Sequence, residues 1–148
     1  MTEARNSTAW GGTLLFCCAL QFVVLTIAAM GLYPGGAKYV LGADHYLFFQ
    51  NFFSDLGATR THSGRNNLPS EVLFVVALSV VGLGMIASSS GWNVIAGKRG
   101  RGAGWCVAAR VFSILSGACF IGVGVTPWNL KLAAHNAFVK AAFLLWVF

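Results

Sequence analysis

Charged residues are scarce in this chain. Only 9% of its 148 residues are Asp, Glu, Lys or Arg, and 57% are hydrophobic, whereas a typical soluble domain is about 25% charged. A chain so poor in charge cannot cover a water-facing surface with polar side chains, which excludes a soluble globular protein. The composition therefore predicts an integral membrane protein. The length accommodates about four spans of roughly 20 residues each, with no separate soluble domain.

Acidic residues are the rarest charged type. Four Asp and Glu residues stand against ten Lys and Arg residues, for a formal net charge of +6. Nucleic-acid-binding proteins often carry such a basic excess, but here the Lys and Arg residues cluster beside the apolar runs, as the positive-inside bias requires. No basic stripe remains outside that pattern. We therefore expect membrane lipids as partners, and no nucleic acid.

Motifs for metals, cofactors and nucleophilic catalysis are also missing from the sequence. The four cysteines, Cys17, Cys18, Cys106 and Cys119, lie inside apolar runs without zinc or haem-attachment spacing, and are interpreted as small packing residues. Neither H-E-x-x-H nor G-x-S-x-G occurs. No cofactor is predicted, although we expect bound lipid. Ligation of a pigment by a single histidine, His135, stays open as an alternative.

Four long apolar runs predict the fold. They cover about residues 12–33, 69–90, 103–125 and 130–148. We therefore expect an all-α integral membrane bundle of about four transmembrane helices in a single domain, residues 1–148. The last run ends at Phe148 with no polar tail, which indicates a truncated chain or part of a longer protein.

The short loop between the second and third runs predicts the orientation. It is basic, G-K-R-G-R-G at residues 97–102, and short basic loops lie on the cytoplasmic side. The protein should therefore lie in the inner cell membrane as a multi-pass protein, with its N-terminus in the cytoplasm and residues 34–68 on the outer side. Trp and Tyr gather at membrane interfaces, and their positions agree. The inner interface would hold Trp10, Trp92, Trp105 and Trp146, and the outer one Tyr33 and Trp128.

Residues 34–68 form a polar, aromatic-rich insert between the first two runs. The insert contains two of the four acids, two of the three histidines and three of the ten Lys and Arg residues. From Tyr39 to Leu56, aromatic side chains alternate with polar ones, a mixture that suits a helix lying in the membrane interface. Gly57 is expected to end this interfacial helix. Any functional site is expected in the insert or in contact with it.

Several segments in and around the insert resemble a known family. They are N-F-F-S-D-L-G-A-T at 51–59, H-S-G-R-N-N at 62–67, S-E-V-L-F at 70–74, Y-P-G-G at 33–36 and, more loosely, G-V-T-P-W-N-L-K-L-A-A-H-N at 124–136. Together they resemble the bacterial multi-span membrane proteins known as domain of unknown function 998. A fainter similarity links the chain to proteins of the Frag1/DRAM type, which share a Ser-Asp-x-Gly outside the first span.

The resemblance implies a helical bundle and carries no established activity. Members of the family tend to be longer, with further spans. The family often places an acid shortly after the second proline of its pattern, which corresponds to Pro127 here and is followed by Trp128-Asn129. The resemblance therefore transfers no metal-binding or acid–base role to that corner.

The predicted orientation brings polar side chains from several segments to the outer face. The catalytic candidates are Ser54, Asp55, His62 and His135, since a histidine could act as base toward the serine. Asp55, His62 and His135 are also the candidate metal ligands. The candidate binding residues are Arg60, Arg65, Asn66, Asn67, Lys131 and Lys140. The alternative interpretation is structural, with Asp55 capping a helix or pairing with Arg60 or Arg65 and so pinning the insert to the bundle.

Small residues and one lysine near the middle of a span suggest how the spans associate. Ala109, Ser113 and Gly117 recur at four-residue spacing, which suits close helix packing within the bundle or against another subunit. Lys140 lies near the middle of the fourth span with no acid at its depth, which indicates a partner protein, missing spans or an anionic lipid. The preferred function is a small accessory or scaffold subunit of a larger membrane complex. The alternative is an outward-facing, hydrolase-type membrane enzyme that acts on a lipid or lipid-linked substrate.

Overall fold

The computed structural model of the chain describes residues 2–92 and 103–147. Its elements, in chain order, are α1 (Thr2–Leu32), a 3₁₀ helix (Phe53–Gly57), α2 (Leu68–Ser88), α3 (Ala103–Val125) and α4 (Trp128–Val147). The four α-helices each contain a stretch apolar and long enough to cross a bilayer: Trp10–Leu32, Leu68–Ser88, Gly104–Val125 and Trp128–Val147. The prediction of an all-helical, four-span membrane bundle is confirmed.

Successive helices are antiparallel and pack at small residues. Gly82 of α2 lies against Gly117 of α3 so closely that a Cβ at either position would collide with the other's carbonyl oxygen. Gly84 of α2 lies against the side-chain sulfur of Cys18 in α1, where an added Cβ would also collide. Close backbone approach at small residues is a common way for helices to associate in lipid. The predicted small-residue face around Gly117 therefore packs within the chain.

The four helices form an open row. Consecutive helices pack along their lengths, α1 on α2, α2 on α3 and α3 on α4, but no comparable packing joins α1 to α4 among the residues that the structure describes. The two edge helices therefore leave a gap between them on one side of the row. This gap contains a cavity.

The two ends of the row differ in composition. Because the helices alternate in direction, the four tryptophans predicted at one membrane interface share one end. They are Trp10, Trp92, Trp105 and Trp146, and all are exposed. Residues 33–67, called the long loop from here on, cover the other end. The basic segment 97–102, on which the predicted orientation depends, lies outside the described residues.

The long loop does not contain the long interfacial helix predicted between Tyr39 and Leu56. It consists of turns, the five-residue 3₁₀ helix and two isolated bridges, Ala37–Val40 before that helix and Arg60–Asn66 after it. The prediction was right that Gly57 ends the helix and wrong about the helix's length. Local side-chain bonds explain the difference, since Asn51 Oδ1 accepts the backbone N–H of Leu47 at 2.9 Å and thereby competes with helical pairing.

The principal core lies directly beneath the long loop. Leu56 of the 3₁₀ helix is fully buried against Ala29, Phe74, Leu78 and Val123 from the first three α-helices. By contrast, the membrane-facing sides of the helices expose large apolar residues toward lipid. The loop therefore closes one end of the bundle as a packed lid and not as a solvated insertion.

Candidate functional site

Asp55 is the buried centre of the long loop. Its side chain is 1% exposed. Oδ2 accepts hydrogen bonds from Asn51 Nδ2 at 3.0 Å and from the backbone N–H of Phe52 at 2.9 Å. Oδ1 lies 3.2 Å from His62 Nε2. A buried carboxylate needs such donors to offset lost hydration, so these three contacts fix both the 3₁₀ helix and the His62 ring.

The first turn of the loop is tied to the same network. Asn51 Nδ2 and the Tyr33 hydroxyl both donate to the carbonyl oxygen of Gly36, at 3.0 and 2.9 Å. Gly35 and Gly36 have φ values of 95° and 92°, a left-handed conformation that favours glycine. The Y-P-G-G motif thus makes the turn that brings the chain back over the bundle.

Asn67 holds the carbonyl end of the 3₁₀ helix. Its fully buried amide nitrogen is within hydrogen-bond distance of three carbonyl oxygens, those of Asp55 at 3.2 Å, Leu56 at 3.1 Å and Ala58 at 2.8 Å. Ser70 Oγ in α2 also donates to the Leu56 carbonyl, at 3.1 Å. Asn67 was a candidate for binding, but its amide nitrogen is committed to the fold.

The corner between α3 and α4 is joined to the long loop. Asn129 exchanges two hydrogen bonds with Thr59, accepting from its backbone N–H at 3.1 Å and donating to its hydroxyl at 2.7 Å. His135 is buried and its Nδ1 donates to the carbonyl oxygen of Thr126 at 2.8 Å. These contacts fix the start of α4 relative to the loop.

A cavity of about 590 Å³ lies beneath the long loop, in the gap of the open row. Apolar side chains from all four α-helices line most of it, among them Phe22, Leu78, Phe120, Val139 and Phe143. Its volume falls within the range of roughly 300–1,000 Å³ typical of small-molecule sites. The cavity is therefore large enough for part of an acyl chain or a similar apolar group.

The loop end of the cavity is polar. Its polar lining residues are Lys38, Ser54, Asp55, His62, His135 and Asn136. Trp128 lines the same end, with its ring 5.0 Å from the His62 ring and inclined by 31°. The indole Nε1 of Trp128 is buried and has no hydrogen-bond partner. A mostly apolar cavity thus ends in a small group of polar side chains, the arrangement that orients an amphiphile.

The hydrogen-bond partners of the two histidines determine which ring atoms stay available. A carboxylate accepts and does not donate, so His62 Nε2 carries the proton shared with Asp55. A carbonyl likewise accepts, so His135 Nδ1 carries the proton directed at Thr126. In the neutral ring the other nitrogen of each histidine is a hydrogen-bond acceptor. His62 Nδ1 and His135 Nε2 are therefore the acceptor atoms of the two neutral rings.

The structure brings the four catalytic candidates, Ser54, Asp55, His62 and His135, to one cavity. It does not gather the proposed metal ligands, because no three His, Cys, Asp or Glu side chains within residues 2–92 and 103–147 could hold a metal ion. The two histidines are separately engaged with Asp55 and with Thr126. Asp55, His62 and His135 are thus cavity residues without the geometry of a three-ligand site.

Arg60 and Arg65 are not the partners of Asp55 that the sequence suggested. Both are exposed, and each donates to a loop carbonyl, Arg60 to Gly64 at 3.1 Å and Arg65 to Pro34 at 2.6 Å. The physical reason is burial, since Asp55 lies under the loop where only adjacent side chains reach it. Both arginines therefore brace the loop surface.

The other binding candidates lie apart from the cavity lining. Asn66 accepts the backbone N–H of Leu68 at 2.9 Å and, with Arg60 and Glu71, borders a smaller hollow of about 260 Å³. Lys131 is exposed at an irregular first turn of α4, with φ −139° and ψ 53°. Lys140 is exposed on the surface of α4 and does not line the cavity. A lipid or a partner remains the predicted neighbour of Lys140.

The pKa values of two tyrosines reflect the closed environment of the loop. Burial, followed by the charge of Asp55, raises the pKa of Tyr46 to about 12. The same two causes, in the same order, raise the pKa of Tyr33. Outside this environment, Asp44 is fully exposed, and its hydrogen bond with His45 lowers the pKa of its carboxyl. The contrast reflects the burial of the two tyrosines beneath the loop.

Sequence reasoning missed three important cavity residues: Lys38, Trp128 as a lining residue, and Phe143. Lys38 was counted only as loop charge and Trp128 only as an interface anchor. The missing signal was the packing order of the helices, which alone shows that α1 and α4 leave a gap.

No family model, curated protein or solved structure matches this chain.

Proposed function

We propose that the protein is a non-catalytic accessory membrane subunit that holds a lipid-like amphiphile in the cavity beneath the long loop. The observation that carries the proposal is the cavity itself, which has apolar walls from four helices and a polar end. An amphiphile has a matching apolar chain and polar head. The open side between α1 and α4 gives such a molecule a path from the bilayer.

Two features support a role within a larger assembly. Lys140 is exposed at a depth where a charged side chain is costly in lipid, so an acidic partner or anionic lipid would stabilise it. The unpacked edges of α1 and α4 offer surfaces for further helices. The small-residue face around Gly117 adds no support, because it packs against Gly82 within the chain.

The proposed location is the inner cell membrane, with the N-terminus in the cytoplasm and the long loop outside. The support is the gathering of four exposed tryptophans at the end opposite the loop, together with the basic sequence at 97–102. We also propose that the chain belongs to the family of unknown function that its 51–67 motif resembles. The motif's central residue, Asp55, has a structural role in the long loop.

Co-purified ligand tests the proposal. The protein would be isolated in mild detergent and its bound lipids identified by native mass spectrometry. Val123→Phe would fill the cavity, whereas Val125→Phe makes the same change at an exposed position of α3 that does not line it. We expect a bound amphiphile in the wild type and in Val125→Phe, and its loss in Val123→Phe. Equal lipid content in all three proteins would contradict the proposal.

A second candidate is a hydrolase acting on a lipid or lipid-linked substrate. The observation that favours it is the His62–Asp55 pair beside Ser54 at one cavity, which contains the residue types of a nucleophile, a base and an orienting acid. Turnover of a fluorogenic lipid ester by the purified protein, compared with Ser54→Ala and His62→Gln, tests this candidate. Turnover that both variants abolish would establish it, and equal turnover would remove it.

A further inference from the structure

The polar end of the cavity has an uncompensated positive charge. Among the described residues, the Lys38 ammonium has no carboxylate within ion-pair distance. Its nearest aromatic neighbours are the rings of Tyr39 and Phe52, at 5.3 and 6.0 Å. Lys38 is itself exposed at the cavity's mouth. A charge so placed is available to a ligand at the opening.

Trp128 provides a second, independent donor. Its indole N–H is buried without an acceptor, although buried polar groups are nearly always hydrogen-bonded. An indole nitrogen can only donate, so this atom requires an oxygen or another acceptor. Trp128 lines the same end of the cavity as Lys38.

The acid at this end is already occupied. Asp55 Oδ2 accepts two hydrogen bonds, and His62 covers Oδ1. With the side chain 1% exposed, the carboxylate is poorly placed to receive a cationic head group. The uncompensated charge at this end is therefore that of Lys38, which favours a head group with negative charge.

We infer that the amphiphile carries an anionic head group, a carboxylate or phosphate, held by Lys38 and the Trp128 indole N–H, with its chain in the apolar cavity. This inference rests on the proposed function. It deepens that function by naming the class of ligand. Charge-assisted hydrogen bonds are about twice as strong as neutral ones, so Lys38 should contribute more selectivity than Trp128.

Two matched ligand pairs test the inference with purified protein in a nonionic detergent. The first pair is oleate and its uncharged methyl ester. The second is phosphatidate and the diacylglycerol with the same chains. We expect the anionic member of at least one pair to bind about tenfold more tightly than its neutral member. The pair with the larger ratio identifies the head group as carboxylate or phosphate.

Matched variants assign the donors. Lys38→Gln should reduce the anionic preference to about threefold or less, whereas Lys131→Gln, at an exposed lysine outside the cavity lining, should leave it unchanged. Trp128→Phe should weaken binding of the anion about threefold, and Trp146→Phe should not. Lys38→Gln and Trp128→Phe both change side chains without filling the cavity.

The outcomes separate the inference from the proposed function. Binding of both members of each pair with equal affinity, or a preference that neither Lys38→Gln nor Trp128→Phe changes, overturns the anionic head group and leaves amphiphile binding standing. If no member of either pair binds the wild-type protein, the proposed function and this inference both fail.

Discussion

The loop end and the membrane half of this bundle are held together by different interactions. At the loop end, buried polar side chains, chiefly Asp55 and Asn67, bind backbone groups of a short 3₁₀ helix. In the membrane half, glycines let helices touch, as at Gly82 and Gly117. The comparison shows that the polar insert is no loose appendage, because its charges and amides organise a lid over the cavity.

The largest expected effect is at Asn67. Asn67→Ala removes a buried amide that reaches three carbonyl oxygens. Those of Asp55 and Leu56 keep a second donor, whereas the Ala58 carbonyl loses its side-chain donor, at a cost of roughly 1–3 kcal/mol, to which the two other lost bonds add. We expect the free energy of unfolding to fall by about 3 kcal/mol, measured by thermal unfolding in detergent. Asn66→Ala, at the neighbouring exposed amide, should cost less than about 1 kcal/mol. Equal losses in both variants would refute a buried polar lid.

An intermediate effect is expected at the helix crossing. Gly82→Ala places a Cβ against the Gly117 carbonyl, and overpacking typically costs about 1–3 kcal/mol. The matched control is Gly31→Ala in α1, where no atom lies near the added Cβ. That substitution should be neutral or slightly stabilising in a helix. A fully stable Gly82→Ala protein would show that close contact does not hold the membrane half.

The smallest effect concerns the charge at the loop end. Asp55→Asn removes the second cause of the raised pKa of Tyr46, so that pKa should fall from about 12 toward the ordinary value of about 10. Burial, the larger cause, remains. Ultraviolet absorption of tyrosinate during an alkaline titration measures the change, with Tyr46→Phe identifying the signal. Asp44→Asn, at an exposed acid, should leave the titration unaltered.

The same pKa has a consequence for stability. Because the folded-state pKa of Tyr46 lies above the ordinary value, its protonated form is favoured by folding. The resulting stabilisation is fully present below about pH 10 and is lost as the pH rises toward about 12. Tyr46→Phe should flatten the decline of stability in that window. An unchanged decline would mean that other groups cause it.

The spans were predictable because each depends on the summed hydropathy of about twenty neighbouring residues. The structure of the loop was not predictable, because a mixed aromatic and polar segment also suits an interfacial helix. Here the side chains of Asn51 and Asp55 accept backbone N–H groups instead. The grouping of Ser54, Asp55, His62 and His135 was predicted in outline. Their cavity was not, because it arises from the gap between α1 and α4, which depends on how the helices pack.

Photochemical labelling with a fatty acid that carries a diazirine at the end of its chain would locate the bound chain. We expect saturable adducts on cavity residues such as Phe120, Val139 and Phe143, displaced by unlabelled oleate and lost in Val123→Phe. Adducts spread over exposed positions such as Val111, Leu115 and Leu144, without saturation or displacement, would contradict it.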